Sequence, residues 1–194
     1  MVVRFQHVLL SFSLLLAALS GHAQDARPNL DNELFEFGVD AGVLAIQDFN
    51  TELAAGFNAT FHGSEDFFLQ FNYLTADAGY SAFENSQGPY FEGDDRRFTH
   101  YDLLLGYNLL AGELYPSEGV STLSNLYLVA GVGNNSFGGE ESFGASLGLG
   151  YKLGLTRRLN LRFDFRDHIY QSDLIKNDAT THNTQLSIGI GYLL

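Results

Sequence analysis

From residue 35 onward, apolar and polar positions alternate with a period of two, in segments of roughly eight to twelve residues. A strand turns successive side chains to opposite faces, so each segment predicts a strand with one apolar face. The first, Phe35–Ile46, sets Phe35, Phe37, Val39, Ala41 and Val43 against Glu36, Gly38, Asp40 and Gly42. The second, Glu52–His62, sets Leu53, Ala55, Phe57, Ala59 and Phe61 against Glu52, Gly56, Asn58, Thr60 and His62. Phe67–Thr75, Phe98–Leu109 and Leu126–Gly133 follow with the same period. Ser142–Leu153 is the cleanest, with Phe143, Ala145, Leu147, Leu149, Tyr151 and Leu153 on one face. Leu159–His168 and Thr184–Leu194 complete a set of eight.

An even number of strands, each near the length needed to cross a bilayer at a tilt, predicts an all-β fold. Its expected form is an eight-stranded antiparallel up-and-down transmembrane β-barrel. Alternation alone does not say which face points outward, since a soluble lipocalin-like barrel alternates with its apolar face inward. The composition of the polar face decides. Gly38, Gly42, Gly56, Gly106, Gly131, Gly133, Gly144, Gly148, Gly150, Gly189 and Gly191 all lie on it. A soluble exterior would carry Lys and Glu, whereas small residues suit an eight-stranded interior barely wide enough for side chains. The apolar face is therefore expected to meet lipid. Phe61, Phe67, Tyr107, Tyr151 and Tyr192 are expected near one rim and Tyr73, Tyr101 and Phe143 toward the other, as two aromatic girdles.

Both ends of the chain agree with export. Arg4 precedes an apolar run from Val8 to Leu19, followed by Gly21-His22-Ala23. That run is shorter than the ~20 residues of a spanning helix and matches the core of a signal peptide, expected at 1–23 with cleavage after Ala23. The barrel would then occupy 24–194. At the other end, Ser187, Gly189, Tyr192 and Leu194 resemble the terminal signal by which outer-membrane barrels are recognised for insertion. Leu194 departs from the usual Phe.

Composition narrows the chemistry. The chain has 194 residues and a formal net charge of −13, with no basic stripe, so nucleic acid is not an expected partner. It has no Cys, which excludes disulfides and thiolate metal sites. A mean hydropathy of −0.03 is compatible with a membrane barrel, whose lipid-facing apolar residues are averaged with a polar interior. With the N-terminus on the periplasmic side, 62–66 and 154–158 are expected as short periplasmic turns, and 111–124 as an unusually long one. The longest outer loops are expected at 76–97, which carries Asp77, Glu84, Glu92, Asp94 and Asp95, and at 169–181.

The chain resembles the small eight-stranded outer-membrane proteins of Gram-negative bacteria, the OmpA/OmpX/OmpW-like barrels. It is most similar to the family described simply as outer membrane β-barrel domain proteins. Glu65–Leu69, Tyr101–Glu113, Tyr127–Gly133, Arg166-Asp167-His168 and Thr181-His182-Asn183 carry the resemblance. It implies fold and an outer-membrane location. It implies no catalytic residue.

Candidate chemistry concentrates on one face of the seventh strand, in Arg162, Asp164, Arg166 and His168. Glu36, Asp40, Glu52 and Asp102 share the inward parity. Buried charges must be paired and hydrogen-bonded, and the guanidinium fork suits two carboxylates at once. These eight residues are expected to form a salt-bridge network closing the lumen; an ion-selective pore lined by the same ring is the alternative. A lipid hydrolase using Asp167, His168 and Ser172 is disfavoured, because adjacent strand side chains diverge and no nucleophile elbow is visible. His62, His100, His168 and His182 show no metal-ligand spacing, and Glu92–Asp95 reads as a solvated acidic loop. No cofactor is expected. The expected protein is a non-enzymatic, monomeric outer-membrane barrel with a structural or surface-interaction role. Its expected partners are membrane lipid, lipopolysaccharide and the barrel-assembly machinery.

Overall fold

The computed structural model describes residues 34–47, 49–79, 96–117, 120–172 and 179–194. The expected signal peptide and most of the two long outer loops lie outside these residues. Eight strands follow in order: β1 (Phe35–Ala45), β2 (Thr51–His62), β3 (Phe67–Asp77), β4 (Arg97–Ser117), β5 (Val120–Phe137), β6 (Glu140–Gly154), β7 (Leu159–Ser172) and β8 (Ala179–Leu193). Each pairs antiparallel with its sequence neighbours. β1 closes the barrel on β8 in a register running from Glu36 opposite Leu193 to Ala45 opposite Thr184. Closure leaves no unpaired edge around the wall.

The apolar face points outward. Val39, Phe57, Phe71, Leu105, Val132, Leu147, Phe165 and Ile188 are all exposed, while Glu36, Asn58, Gln70, Asp102, Ser146 and Arg166 are buried inside. The start of β1 and the end of β8 lie with the turns at 63–66 and 155–158, where the Leu194 amide donates to Phe35 O (2.8 Å) and that of Leu193 to Arg158 O (2.8 Å). These two turns share one local solution. The hydroxyls of Ser64 and Thr156 accept from the amides of Phe67 and Leu159, each three residues on, at 3.0 Å. At the opposite end, Gly138 and Gly139 (φ 64° and 78°) form a two-residue turn whose positive φ matches the twist of a hairpin.

That turn corrects the expected strand ends, since β5 and β6 pair as far as Phe137 opposite Glu140. A larger correction concerns 111–124. This is not a long connection: β4 and β5 stay paired from Ala111 opposite Asn125 to Ser117 opposite Val120. A bulge at Leu109, between the Asn108 and Leu110 pairings, breaks the two-residue period there. The ribbon continues past the last β3 pairing at Tyr107 and the last β6 pairing at Ser124. It exposes Leu110, Leu114, Tyr115 and Leu123. Likewise β3 runs to Asp77, and β7 and β8 pair through Ser172 opposite Ala179, so parts of the expected outer loops are strand.

The interior is not uniformly polar. Phe68, Leu104, Tyr127 and Val129 form one buried apolar cluster. Leu44, Ile46, Ala54, Leu74, Ala76, Ala78, Phe98, Phe137 and Tyr170 form a second, toward the Gly138-Gly139 turn. Glycines make the room. Gly106 is paired with Phe68 and Gly150 with Tyr127, and a Cβ at either would run into the ring opposite.

Candidate functional site

The interior charges are organised by β7, whose alternate residues share one face. Arg162 is paired with Lys152 on β6 and Gly189 on β8, Asp164 with Gly150 and Ser187, and Arg166 with Gly148 and Gln185. The glycines and Ser187 among these neighbours leave room in the lumen for the long β7 side chains. A Cβ at Gly148 would lie 2.9 Å from Arg166 Cγ.

Asp164 lies between two guanidinium groups. Its Oδ2 is 3.2 Å from Arg162 Nη2 and its Oδ1 3.3 Å from Arg166 Nη2, while Tyr127 donates its hydroxyl to Oδ1 at 2.6 Å. Arg162 also donates to Asn58 Oδ1 (2.8 Å), and Asn58 donates to Asp40 Oδ1 (3.0 Å). Arg166 donates to Gln70 Oε1 (3.0 Å), and Gln70 to Thr60 Oγ1 (3.0 Å). Toward the turns at 63–66 and 155–158, Glu36 Oε2 gathers His62 Nε2 (3.2 Å), Asn160 Nδ2 (3.3 Å) and Lys152 Nζ (3.5 Å), while its Oε1 lies 3.7 Å from Arg162 Nη1. A cavity of about 10 Å³ remains among Glu36, His62, Gln70, Tyr127, Lys152 and Arg162. It has room for about one water.

The eight candidate residues therefore divide. Glu36, Arg162, Asp164 and Arg166 form one chain of contacts, to which Asn58 hydrogen-bonds Asp40. Glu52 stands apart from it, accepting the Gly79 amide at 2.8 Å. Asp102 and His168 belong to a separate cluster. There Asp102 Oδ2 is 2.9 Å from His100 Nε2, Asn72 donates to Asp102 Oδ1 at 2.7 Å, and the His100 and His168 ring centroids are 4.1 Å apart. Of the four histidines without metal-ligand spacing along the chain, His100 and His168 thus meet in the fold. His100 and His168 are 68 positions apart in the chain, so spacing along it held no signal; only strand pairing brings them together.

Residues that sequence reasoning passed over include Tyr127, Asn58, Gln70 and Ser146. All four lie on inward parity, which was the available signal. Asp167, His168 and Ser172 do not meet: Asp167 Oδ2 contacts His182 Nδ1 on the outer face (2.8 Å), His168 contacts Ser146, and Ser172 donates to Glu140 Oε2 (2.9 Å). In the terminal strand, Ser187 is buried, Gly189 shares its inward parity, and Tyr192 and Leu194 are exposed. The acidic segment Glu92–Asp95 lies outside the described residues.

No protein-family model matches the chain, and no curated protein is similar to it in sequence. Solved structures are similar in fold. Outer membrane protein AlkL, determined in lipid bilayers, is 14% identical over 90% of this chain and 96% of its own, with a TM-score of 0.52. The fold is that of the small eight-stranded outer-membrane barrels. Neisserial surface protein A also matches (16% identity, 82% and 97% coverage, TM-score 0.46), as does the N-terminal barrel domain of Pseudomonas aeruginosa OprF (11%, 82% and 97%, 0.47).

Proposed function

We propose that the protein is an integral outer-membrane barrel with a closed lumen, acting as a structural or surface-interaction element through its outer loops. The observation that carries this reading is the inversion of the fold. A continuous apolar wall faces outward, while charged and amide side chains are buried within. An exposed apolar surface of that extent is costly in water and favoured in a bilayer. Closure is supported by the interior packing, where Asp164 with its two arginines and the Phe98 cluster fill successive levels of the lumen. The barrel acts as a monomer, embedded in lipid and lipopolysaccharide, and reaches the membrane through assembly machinery that reads Ser187, Gly189, Tyr192 and Leu194. It carries out no catalysis.

Conductance across planar bilayers, run beside solute flux from liposomes, tests this. The closed barrel gives no steady conductance and no flux above protein-free vesicles. Stable unitary current steps from the wild type would replace this reading with that of a narrow ion channel. Recovery of the mature protein as a soluble periplasmic species would remove the membrane assignment altogether.

A further inference from the structure

The histidine cluster in the middle of the lumen carries an inference independent of the loops and of conductance. Asn135 donates its Nδ2 to Ser142 O (3.5 Å), which leaves its Oδ1 facing His100 Nδ1 at 2.8 Å. Gln185 donates its Nε2 to Ser187 Oγ (3.0 Å), which leaves its Oε1 facing His168 Nε2 at 3.0 Å. An amide oxygen only accepts, so His100 Nδ1 and His168 Nε2 each carry a proton. The remaining ring nitrogens, His100 Nε2 and His168 Nδ1, then present lone pairs in the neutral rings. Both face Ser146 Oγ, at 3.4 and 2.9 Å. His100 Nε2 also lies 2.9 Å from Asp102 Oδ2, the nitrogen and the oxygen that one metal ion would take as ligands.

The ligand atoms of His100, Asp102 and His168 lie within 4.8 Å of one another, and all three residues are buried. A ring whose far nitrogen is tied to an oxygen acceptor has its metal-binding nitrogen fixed in tautomer and direction. Here both rings are held that way. We propose that His100, Asp102 and His168 bind a divalent first-row transition metal of the Zn²⁺ type, with Ser146 Oγ or a water as the fourth ligand. Two imidazoles, a carboxylate and one further oxygen suit a four-coordinate site with bonds of about 2 Å. Calcium and magnesium, which prefer more and harder oxygen ligands, fit this donor set poorly. The ion would tie β4 to β7 across the lumen.

The test uses untagged mature barrel refolded from urea into detergent micelles with Co²⁺, then freed of unbound metal. Folding is confirmed by heat-modifiable migration. The folded wild type should retain about one Co²⁺ per chain and show the intense visible absorption of a tetrahedral site. His182→Gln, altering an outward-facing histidine, should bind as the wild type does. His168→Gln should bind at least about tenfold more weakly. Asp102→Asn, which keeps the shape of a ligand and removes its charge, should weaken binding and shift the absorption band, and it decides the matter alone if His168→Gln does not fold. No retained metal in the folded wild type would overturn the proposal. So would metal uptake and a spectrum unchanged by the substitutions that fold, which would place the ion elsewhere.

Discussion

Two ion pairs of equal length lie in two regions of this barrel. Arg162–Asp164 in the lumen and Arg97–Asp77 at the rim both have nitrogen–oxygen distances of 3.2 Å. In the lumen the two side chains are 5% and 4% exposed; at the rim they are 54% and 82% exposed. The rim pair has water as an alternative partner and is screened by salt. The lumenal pair was stripped of water when the wall closed, and depends on Tyr127, Asn58 and the second arginine to satisfy what remains. Distance is shared; environment sets what breaking each pair costs.

Truncation of one partner separates the two regions most sharply. Arg162→Ala leaves Asp164 and Glu36 buried with less compensation and should destabilise the barrel by about 3–5 kcal/mol. Urea unfolding in lipid vesicles measures this, and an unchanged midpoint would mean that water reaches the lumen and the two regions are alike. A second contrast sets the two faces of the wall against each other. Arg166 is accommodated inside at one level of β7, while Leu147, opposite Asp167, points outward. Leu147→Arg should cost about 2–4 kcal/mol if that position lies near the bilayer midplane. Insertion into vesicles that proceeds as for wild type would invert the assignment of faces.

Within the lumen, Tyr127→Phe removes only the hydroxyl that Asp164 accepts. The loss should be about 1.5–3 kcal/mol, because the acceptor is charged and buried. A smaller value in the same unfolding measurement would point to a water taking over that hydrogen bond, for which the neighbouring cavity has room. At the rim, Asp77→Ala should change stability by no more than about 1 kcal/mol. That small effect should vanish at high salt while the Arg162→Ala effect persists, since screening acts on exposed charges. Equal salt sensitivity of the two variants would dissolve the comparison.

The alternation of apolar and polar residues specifies a β-barrel of eight strands, and the glycines of the polar face, not the alternation, turn the apolar face outward. Period two assigns each side chain to a face, and the glycines of the polar face mark the tighter side. The inward placement of Glu36, Asp40, Asp102, Arg162, Asp164, Arg166 and His168 follows from the same parity. Parity says nothing of height within the lumen or of partners across it. The extension of β4 and β5 past the wall was hidden by the bulge at Leu109, which interrupts the period where the ribbon begins. Phe68 and Tyr127 look misplaced on an inward face until their pairing with Gly106 and Gly150 shows where the rings fit. Glu52 shares the parity of the network yet ends on the amide of Gly79, and His100 meets His168 from a strand three places away in the wall. Local periodicity is written into each segment. Which lumenal groups touch depends on register and closure, which arise only when all eight strands pair at once.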